Sequence, residues 1–177
     1  MSYKMADAQS IFKKDFKDYS TSLKNTSFDK TNSVYLCNDK TMLVYDFDRL
    51  VKDRYPLKQP SSYDALLIDK QKIFCIEFKN EKYSNIDNKE VSKKLKNGKD
   101  VLTSIFQKNH IQLRDYTFIY CVAYKNTQAR WKRGISKATI QFDLEKYQPK
   151  YFNKIYTNDI MFFTNEYKKY FSKALEC

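Results

Sequence analysis

The most constraining feature of the sequence is the segment YTFIYCVAY at residues 116–124. It is apolar almost throughout, whereas a strand with one solvated face alternates apolar and polar residues. We therefore predict a central strand that is buried on both faces. A sheet whose faces are covered by helices is an α/β arrangement, and the rest of the chain has to supply those helices.

Two long segments, residues 5–24 and 88–109, have the spacing of amphipathic helices. A shorter helix is predicted over residues 46–55 and would end before Pro56. The apolar positions of the two long helices are Ile11, Phe12, Phe16, Tyr19 and Leu23 in the first, and Val91, Leu95, Leu102, Ile105 and Phe106 in the second.

Short apolar runs bounded by polar turns predict the strands. Residues 33–37 and 42–47 form one predicted hairpin, and residues 63–68 and 73–79 form another. Within these segments we predict a core in the order helix, strand, strand, strand, helix, strand, arranged as a mixed β-sheet flanked by helices. It spans about residues 5–125.

Residues 126–177 follow this core as a C-terminal extension. Segments 137–144 and 155–163 are further predicted strands, and residues 166–175 form a predicted terminal helix. With two glycines and three prolines the chain offers no flexible linker, so residues 1–177 are predicted to form a single domain. The Tyr- and Phe-rich tail is most simply an extra layer of core, and an exposed part of it could form a homodimer interface.

The chain carries a formal net charge of +12. Such an excess favours an anionic partner, most often nucleic acid and less often a membrane surface. A second interpretation is compositional bias, because lysine, asparagine, tyrosine and isoleucine are abundant together, as in AT-rich coding sequences. The charge alone does not decide between the two interpretations.

None of the four cysteines, Cys37, Cys75, Cys121 and Cys177, lies in a metal-type CxxC spacing. We interpret them as small core residues in a reducing compartment and not as a disulfide framework. No apolar run approaches the roughly 20 residues of a membrane helix, and the N-terminus lacks the apolar core of a signal peptide. These features predict a cytoplasmic protein with no membrane partner.

Several chemistries are excluded by residue counts. Two glycines cannot build a glycine-rich phosphate loop, and one histidine cannot supply a site with several histidine ligands. A serine or cysteine nucleophile would depend on His110, which we interpret as a solvent-exposed residue after the second long helix. Carboxylate and lysine chemistry remains.

Three charged residues interrupt the apolar hairpin SYDALLIDKQKIFCIEFKN at residues 62–80. The predicted turn DKQK is centred between Lys70 and Gln71. Residues that pair across a hairpin with this centre have numbers that sum to 141, so Asp64 is predicted to lie opposite Glu77. Residues paired in this way have Cβ atoms about 4.5–5.5 Å apart. Because alternate residues of a strand share a face, Lys79 lies beside them.

Two opposed carboxylates repel each other and need a compensating cation. A divalent ion bound by Asp64 and Glu77 would compensate them, with the ammonium of Lys79 nearby. Such an ion can hold a phosphodiester and activate a water, while the lysine orients that water or stabilises charge on the phosphate. The alternative is an edge strand with a solvated charged face, on which Lys79 is paired to Glu77 or Asp64.

The stretch YDALLID…KIFCIEFKN resembles the core signature of the PD-(D/E)xK nuclease superfamily, although no proline immediately precedes its aspartate. The resemblance covers about residues 5–125 and implies a restriction-endonuclease-like fold. It implies that Asp64, Glu77 and the Phe78 carbonyl bind Mg²⁺ or Mn²⁺, and that Lys79 positions the attacking water.

Many members of the superfamily add an acid from the first helix. Here the predicted first helix offers only aspartates, and two further aspartates in residues 46–55 could substitute. The candidates are Asp7, Asp15, Asp18, Asp46 and Asp48. The sequence does not choose among them.

The segment NTQARWKRGISK at residues 126–137 is a candidate nucleic-acid contact. Bases stack on tryptophan and cations contact phosphates, although a solvated loop with one packing tryptophan is the alternative. The residues concerned are Arg130, Trp131, Lys132 and Arg133. Some lysines of the 88–109 helix are predicted to line the same cleft and most to be ordinary surface residues.

Two function hypotheses follow. The first is a Mg²⁺- or Mn²⁺-dependent endonuclease that hydrolyses phosphodiester bonds of nucleic acid, with DNA favoured over RNA by the resemblance alone. The second is a non-catalytic module on the same fold that binds nucleic acid or a protein partner. An additional acid that reaches Asp64 favours the first hypothesis.

Overall fold

The computed structural model describes residues 7–125, 140–171 and 175–177. Its centre is a six-stranded mixed sheet with helices on both faces, which confirms the α/β prediction. In chain order the elements are α1 (Ala8–Asp15), β1 (Ser20–Ser22), α2 (Leu23–Thr26), β2 (Phe28–Asp29), β3 (Val34–Tyr35), β4 (Leu43–Asp46), α3 (Phe47–Arg54), β5 (Ala65–Asp69), β6 (Lys72–Lys79), α4 (Asn88–Lys108), β7 (Thr117–Tyr124), β8 (Lys154–Asp159) and α5 (Ile160–Phe171).

The order of strands in the sheet is β1-β4-β5-β6-β7-β8. Pairing is antiparallel from β1 to β6 and parallel from β6 to β8. Strand β7 lies between two others and only its first residue, Thr117, is not fully buried, as the apolar segment predicts. In the β5–β6 hairpin Ala65 pairs with Ile76 and Asp69 with Lys72, which confirms the predicted register.

The two faces of the sheet are covered by different elements. Ile73 and Cys75 of β6 pack with α1, α3 and α4 on one face, and Phe74 and Ile76 pack with α5 on the other. Helix α4 confirms the predicted 88–109 helix, and its buried stripe rests on the first face. Gly98 lies within this helix because the ring of Tyr63 occupies the space that a Cβ atom would need.

The prediction of one helix over residues 5–24 is wrong for the described part of that segment. Helix α1 ends at Asp15, and Ser20–Ser22 forms the edge strand β1 paired with β4. The reason is local competition: the run Tyr-Ser-Thr-Ser at residues 19–22 has low helix propensity, and β4 offers it backbone hydrogen bonds. The predicted helix over residues 46–55 is confirmed as α3.

The predicted hairpin of residues 33–37 with 42–47 is also wrong. Strand β3 pairs with β2, while β4 pairs with β1 and β5. Between them Asp39 accepts hydrogen bonds from the backbone N–H groups of Thr41 and Met42, at 2.8 Å each. This turn redirects the chain, so the two segments meet other partners.

The C-terminal extension differs from its prediction in two places. Of the predicted strand 137–144, the described part, Ile140–Leu144, is a turn. Strand β8 ends at Asp159, which pairs with Tyr124, the last residue of β7. The chain continues from there as α5, which begins at Ile160, earlier than the predicted helix at 166–175.

The cysteine prediction is wrong for one pair. Cys37 and Cys177 form a disulfide, while Cys75 and Cys121 are free and buried in the core. The spacing of the pair, 140 residues, gives no local signal, and the pairing depends on the C-terminus returning to the β3–β4 connection. His110 is exposed, as predicted. Among the described helices, none combines the length and apolar character needed to cross a bilayer.

Candidate active site

The β5–β6 hairpin brings the three predicted charged residues together at one end of the sheet. Asp64 immediately precedes β5, and Glu77 and Lys79 lie at the end of β6. The backbone N–H of Asp64 donates to the Ile76 carbonyl at 3.0 Å, and the N–H of Phe78 donates to Asp64 Oδ2 at 2.7 Å. These two hydrogen bonds hold the Asp64 carboxylate against the end of β6.

The charged side chains on β6 are buried. The side chain of Glu77 is 0% exposed and that of Lys79 is 8% exposed, and β6 has β5 on one side and β7 on the other. The alternative of an edge strand with a solvated charged face is therefore wrong. The two side chains do interact with each other, with 3.4 Å between Lys79 Nζ and Glu77 Oε1.

Helix α4 adds an acidic and a basic residue to this group. Glu90 Oε1 accepts a hydrogen bond from Lys79 Nζ at 2.7 Å. Lys94 Nζ donates to Glu77 Oε1 at 2.8 Å and lies 3.9 Å from Asp64 Oδ1. Four residues apart, Glu90 and Lys94 share one face of the helix, so α4 delivers both side chains to the same end of the sheet.

Sequence reasoning missed Glu90 and included Lys94 only as one of several lysines in a helix. A signal was present, because the two residues directly precede Val91 and Leu95 of the buried stripe. Residues at the margin of such a stripe lie beside the sheet that the stripe covers.

Among the candidate additional acids, the structure brings Asp48 to the cleft. Its carboxylate accepts hydrogen bonds from Ser62 Oγ at 2.8 Å and Gln59 Nε2 at 3.3 Å, and it lines the same cleft as Asp64. Asp46 caps α3 by accepting from the Arg49 N–H, and it lines the neighbouring part of the cleft, to which Asp48 and Asp64 also contribute.

The three aspartates of the predicted first helix do not line this cleft. Asp7 instead caps α1 and accepts from the hydroxyl of Tyr116. The candidate acid thus comes from α3, a helix whose position depends on pairing of β4 with β5.

The surroundings of the two carboxyl groups disfavour their charged forms. Burial, together with the charge of Glu77, raises the pKa of Asp64 well above its ordinary value. Burial also raises the pKa of Glu77, although Lys94 and Lys79 oppose this effect. For Lys94, burial lowers the pKa, but Glu77 and Asp64 outweigh burial and hold it above its ordinary value. The ammonium of Lys94 is therefore the internal counter-charge of the pair.

One oxygen of the site has no hydrogen-bond partner among the described residues. Glu77 Oε2 is fully buried, whereas Oε1 is shared by two lysines. A buried unsatisfied oxygen costs about 1–3 kcal/mol, and more when the group is charged. A cation beside Oε2 would remove this cost, so the residues present fit a divalent ion. In the described segments, no group of three or more acidic, histidine or cysteine side chains is clustered tightly enough to hold a metal ion by itself.

The charged group opens into a cleft of about 540 Å³. Its other wall is the chain from Thr26 to Asn32, which contributes Phe28 and Lys30. The predicted nucleic-acid contacts Arg130, Trp131, Lys132 and Arg133 lie outside the described residues. Phe78 turns its ring to the opposite face of the sheet, 6.1 Å from the ring of Phe163, so only its backbone belongs to the site.

No family model, curated protein or solved structure matches this chain. The chemistry of the site therefore has to be inferred from its own residues.

Proposed function

We propose that the protein is a metal-dependent nuclease that hydrolyses phosphodiester bonds of nucleic acid. We further propose that its fold is of the restriction-endonuclease-like type found in the PD-(D/E)xK superfamily. The single observation that carries the proposal is the buried, unpartnered Oε2 of Glu77 beside Asp64 and Lys79. A fold keeps such a group at a cost in stability, and functional sites are where such costs are concentrated.

Asp64, Glu77 and the Phe78 carbonyl would hold Mg²⁺ or Mn²⁺, since oxygen atoms are the ligands these ions prefer. When bound, the ion supplies Lewis acidity toward the phosphate and lowers the pKa of a water. Asp48, fixed by Ser62, is the additional acid on the same cleft.

Lys79 orients the attacking water and stabilises negative charge on the phosphate. Its ammonium is fixed between Glu77 and Glu90, at 3.4 Å and 2.7 Å. A lysine held by two acids keeps one defined position, which is what orientation of a nucleophile requires. Glu90 is a positioning residue in this scheme, because it acts through Lys79.

The net charge of +12 supports an anionic polymer as the substrate. Only the superfamily resemblance favours DNA over RNA. A second function, a non-catalytic module that binds nucleic acid or a protein partner, is favoured by Lys94. Its ammonium contacts Glu77 at 2.8 Å and so neutralises the site without a metal ion.

The test is cleavage of plasmid DNA, single-stranded DNA and tRNA with Mg²⁺, with Mn²⁺ and with chelator. The variants are Lys79→Ala and, as a matched control, Lys93→Ala, whose side chain is exposed on α4. We expect metal-dependent cleavage that falls about 100-fold or more in Lys79→Ala and is unchanged in Lys93→Ala.

Cleavage that persists in chelator, or equally in Lys79→Ala, contradicts the catalytic assignment. If no substrate is cleaved but binding weakens steeply with salt, the non-catalytic module is the better description.

A further inference from the structure

The wall of the cleft opposite the charged group carries an aromatic side chain. Phe28 of β2 lines the cleft that contains Asp64, Glu77 and Lys79. It also lines an adjoining depression of about 310 Å³ that contains Arg49. Phe28 therefore lies where the two parts of the cleft meet.

The ring of Phe28 is supported from one side and exposed on another. Its centroid lies 4.7 Å from that of Tyr35, its cross-strand partner in β3. Lys24 Nζ in turn lies 4.4 Å from the centroid of Tyr35. Phe28 nevertheless keeps 38% of its surface exposed, so part of the side chain is accessible to a ligand in the cleft.

The segment that follows Phe28 is hydrogen-bonded to the residue that directly follows β6. The Asp29 carboxylate accepts from the N–H groups of Thr31 and Asn32 at 2.9 Å and 3.2 Å. It also accepts from the side-chain amides of Asn32 at 2.6 Å and of Asn80 at 3.0 Å, and Asn80 directly follows Lys79. These hydrogen bonds fix the distance between the aromatic wall and the charged group.

Cations lie near the ring of Phe28. Lys30 from the same wall, and Arg49 and Lys52 from α3, line the adjoining depression with Phe28, which also contains Asp46, Asp48 and Asp64. An aromatic face flanked by cations is the combination that binds single-stranded nucleic acid, because bases stack on the ring and phosphates contact the cations. Bases inside a duplex are already stacked on both sides and offer no face to such a ring.

We propose that Phe28 is a stacking platform for an unpaired nucleobase, with Lys30 and Arg49 at the neighbouring phosphates. The substrate is then a nucleic acid with an unpaired nucleotide next to the scissile bond, such as a single strand or a loop. This inference rests on the proposed nuclease function for its scissile bond, but the binding it describes can be measured without cleavage.

The experiment is fluorescence anisotropy of labelled oligonucleotides in chelator, so that nothing is cut. The ligands are single-stranded DNA, single-stranded RNA of the same sequence, and the DNA duplex. The variants are Phe28→Ala, Phe28→Leu and Phe28→Trp. Leu43→Ala is the control, because Leu43 is an exposed apolar residue of β4 that does not line the cleft.

We expect Phe28→Ala and Phe28→Leu to weaken binding of a single strand about tenfold, the effect of losing one stacked base. Phe28→Trp should bind as tightly as wild type or more tightly, and the duplex should be affected by none of the variants. The RNA and DNA arms tell which single strand the platform prefers.

Unchanged single-strand binding in Phe28→Ala overturns the proposal, and so does an equal loss for single strand and duplex. The result is separate from the nuclease assignment. Cleavage by wild type together with unchanged binding in Phe28→Ala rejects the platform alone. Phe28-dependent binding without cleavage in any metal rejects the nuclease alone.

Discussion

Two buried carboxylates, Asp39 and Glu77, have opposite surroundings. Asp39 Oδ1 accepts from the Thr41 N–H, the Thr41 hydroxyl and the Met42 N–H, at 2.8 to 3.0 Å, and Oδ2 accepts from the Glu176 N–H at 3.1 Å. Glu77 contacts two lysines through Oε1 and no hydrogen-bond donor of the described chain through Oε2. Burial raises the pKa of both, but hydrogen bonds bring that of Asp39 below its ordinary value while that of Glu77 stays raised.

The difference separates a structural acid from a proposed functional one. Asp39 closes the turn before β4 and accepts a hydrogen bond from the backbone of the C-terminal residues, so both of its carboxylate oxygens have donors within the fold. Glu77 is held beside Asp64 with Oε2 buried and without a hydrogen-bond donor among the described residues, a cost that a bound cation would remove. Substitution of each acid should therefore affect different properties.

The largest expected effect is that of the substitution Glu77→Gln on the rate of cleavage. An amide is a much poorer ligand for a divalent ion, so we expect the rate with Mg²⁺ to fall about 100-fold or more, as for loss of a group that acts on the reacting water. The free energy of unfolding should change less than in Asp39→Ala, since Glu77→Gln leaves Asp64 and Glu90 opposite two lysines. Wild-type cleavage by this variant would remove Glu77 from the mechanism.

The second effect is on stability, by Asp39→Ala. Its loss leaves three backbone N–H groups without their acceptor, which should lower the free energy of unfolding by about 2 kcal/mol or more in a urea titration. Asp100→Ala is the control, because its side chain is exposed on α4. Cleavage per folded molecule should stay at the wild-type rate, and loss of cleavage in the folded variant would break the contrast between the two acids.

The third effect is on metal binding, by Lys94→Met. Its ammonium lies 2.8 Å from Glu77 and 3.9 Å from Asp64, so a divalent ion has to compete with it for the two carboxylates. We expect Mn²⁺ alone to bind about tenfold more tightly to this variant in calorimetry, equivalent to about 1.4 kcal/mol. Lys93→Met should bind as wild type does, and unchanged or weaker binding by Lys94→Met would show that Lys94 does not compete.

The local part of this site is predictable from the sequence. The turn within residues 62–80 fixes the register of the hairpin, and period-two alternation then puts Asp64, Glu77 and Lys79 on one face. The same holds for α4 and β7, because long apolar patterns dominate local propensity. Each of these predictions needs only neighbouring residues.

The remaining parts depend on contacts between distant segments. Whether Asp46 or Asp48 reaches Asp64 is decided by the pairing of β4 with β5, and Glu90 reaches Lys79 only because of how α4 lies on the sheet. Strands of two to four residues, such as β1 to β4, carry too little pattern to identify their partners. The disulfide between Cys37 and Cys177 has the same origin, since it joins residues 140 positions apart.

The smallest effect, and the finest test of the contrast, is the dependence of stability on pH. The pKa of Asp39 is lowered in the fold, so its stabilisation is complete above the unfolded value of about 3.9 and is lost as the pH falls through the folded pKa. The pKa of Glu77 is raised, so the fold binds the proton more tightly and stability increases as the pH falls from the folded pKa toward the unfolded value, about 4.3.

Urea titrations in chelator should show that Glu77→Gln reduces the pH dependence of stability above about pH 4.3, whereas Asp39→Asn reduces it below about pH 3.9. One proton changes the slope by at most about 1.4 kcal/mol per pH unit. If both variants altered the same pH range, the two acids would not differ in the way that their hydrogen bonds indicate.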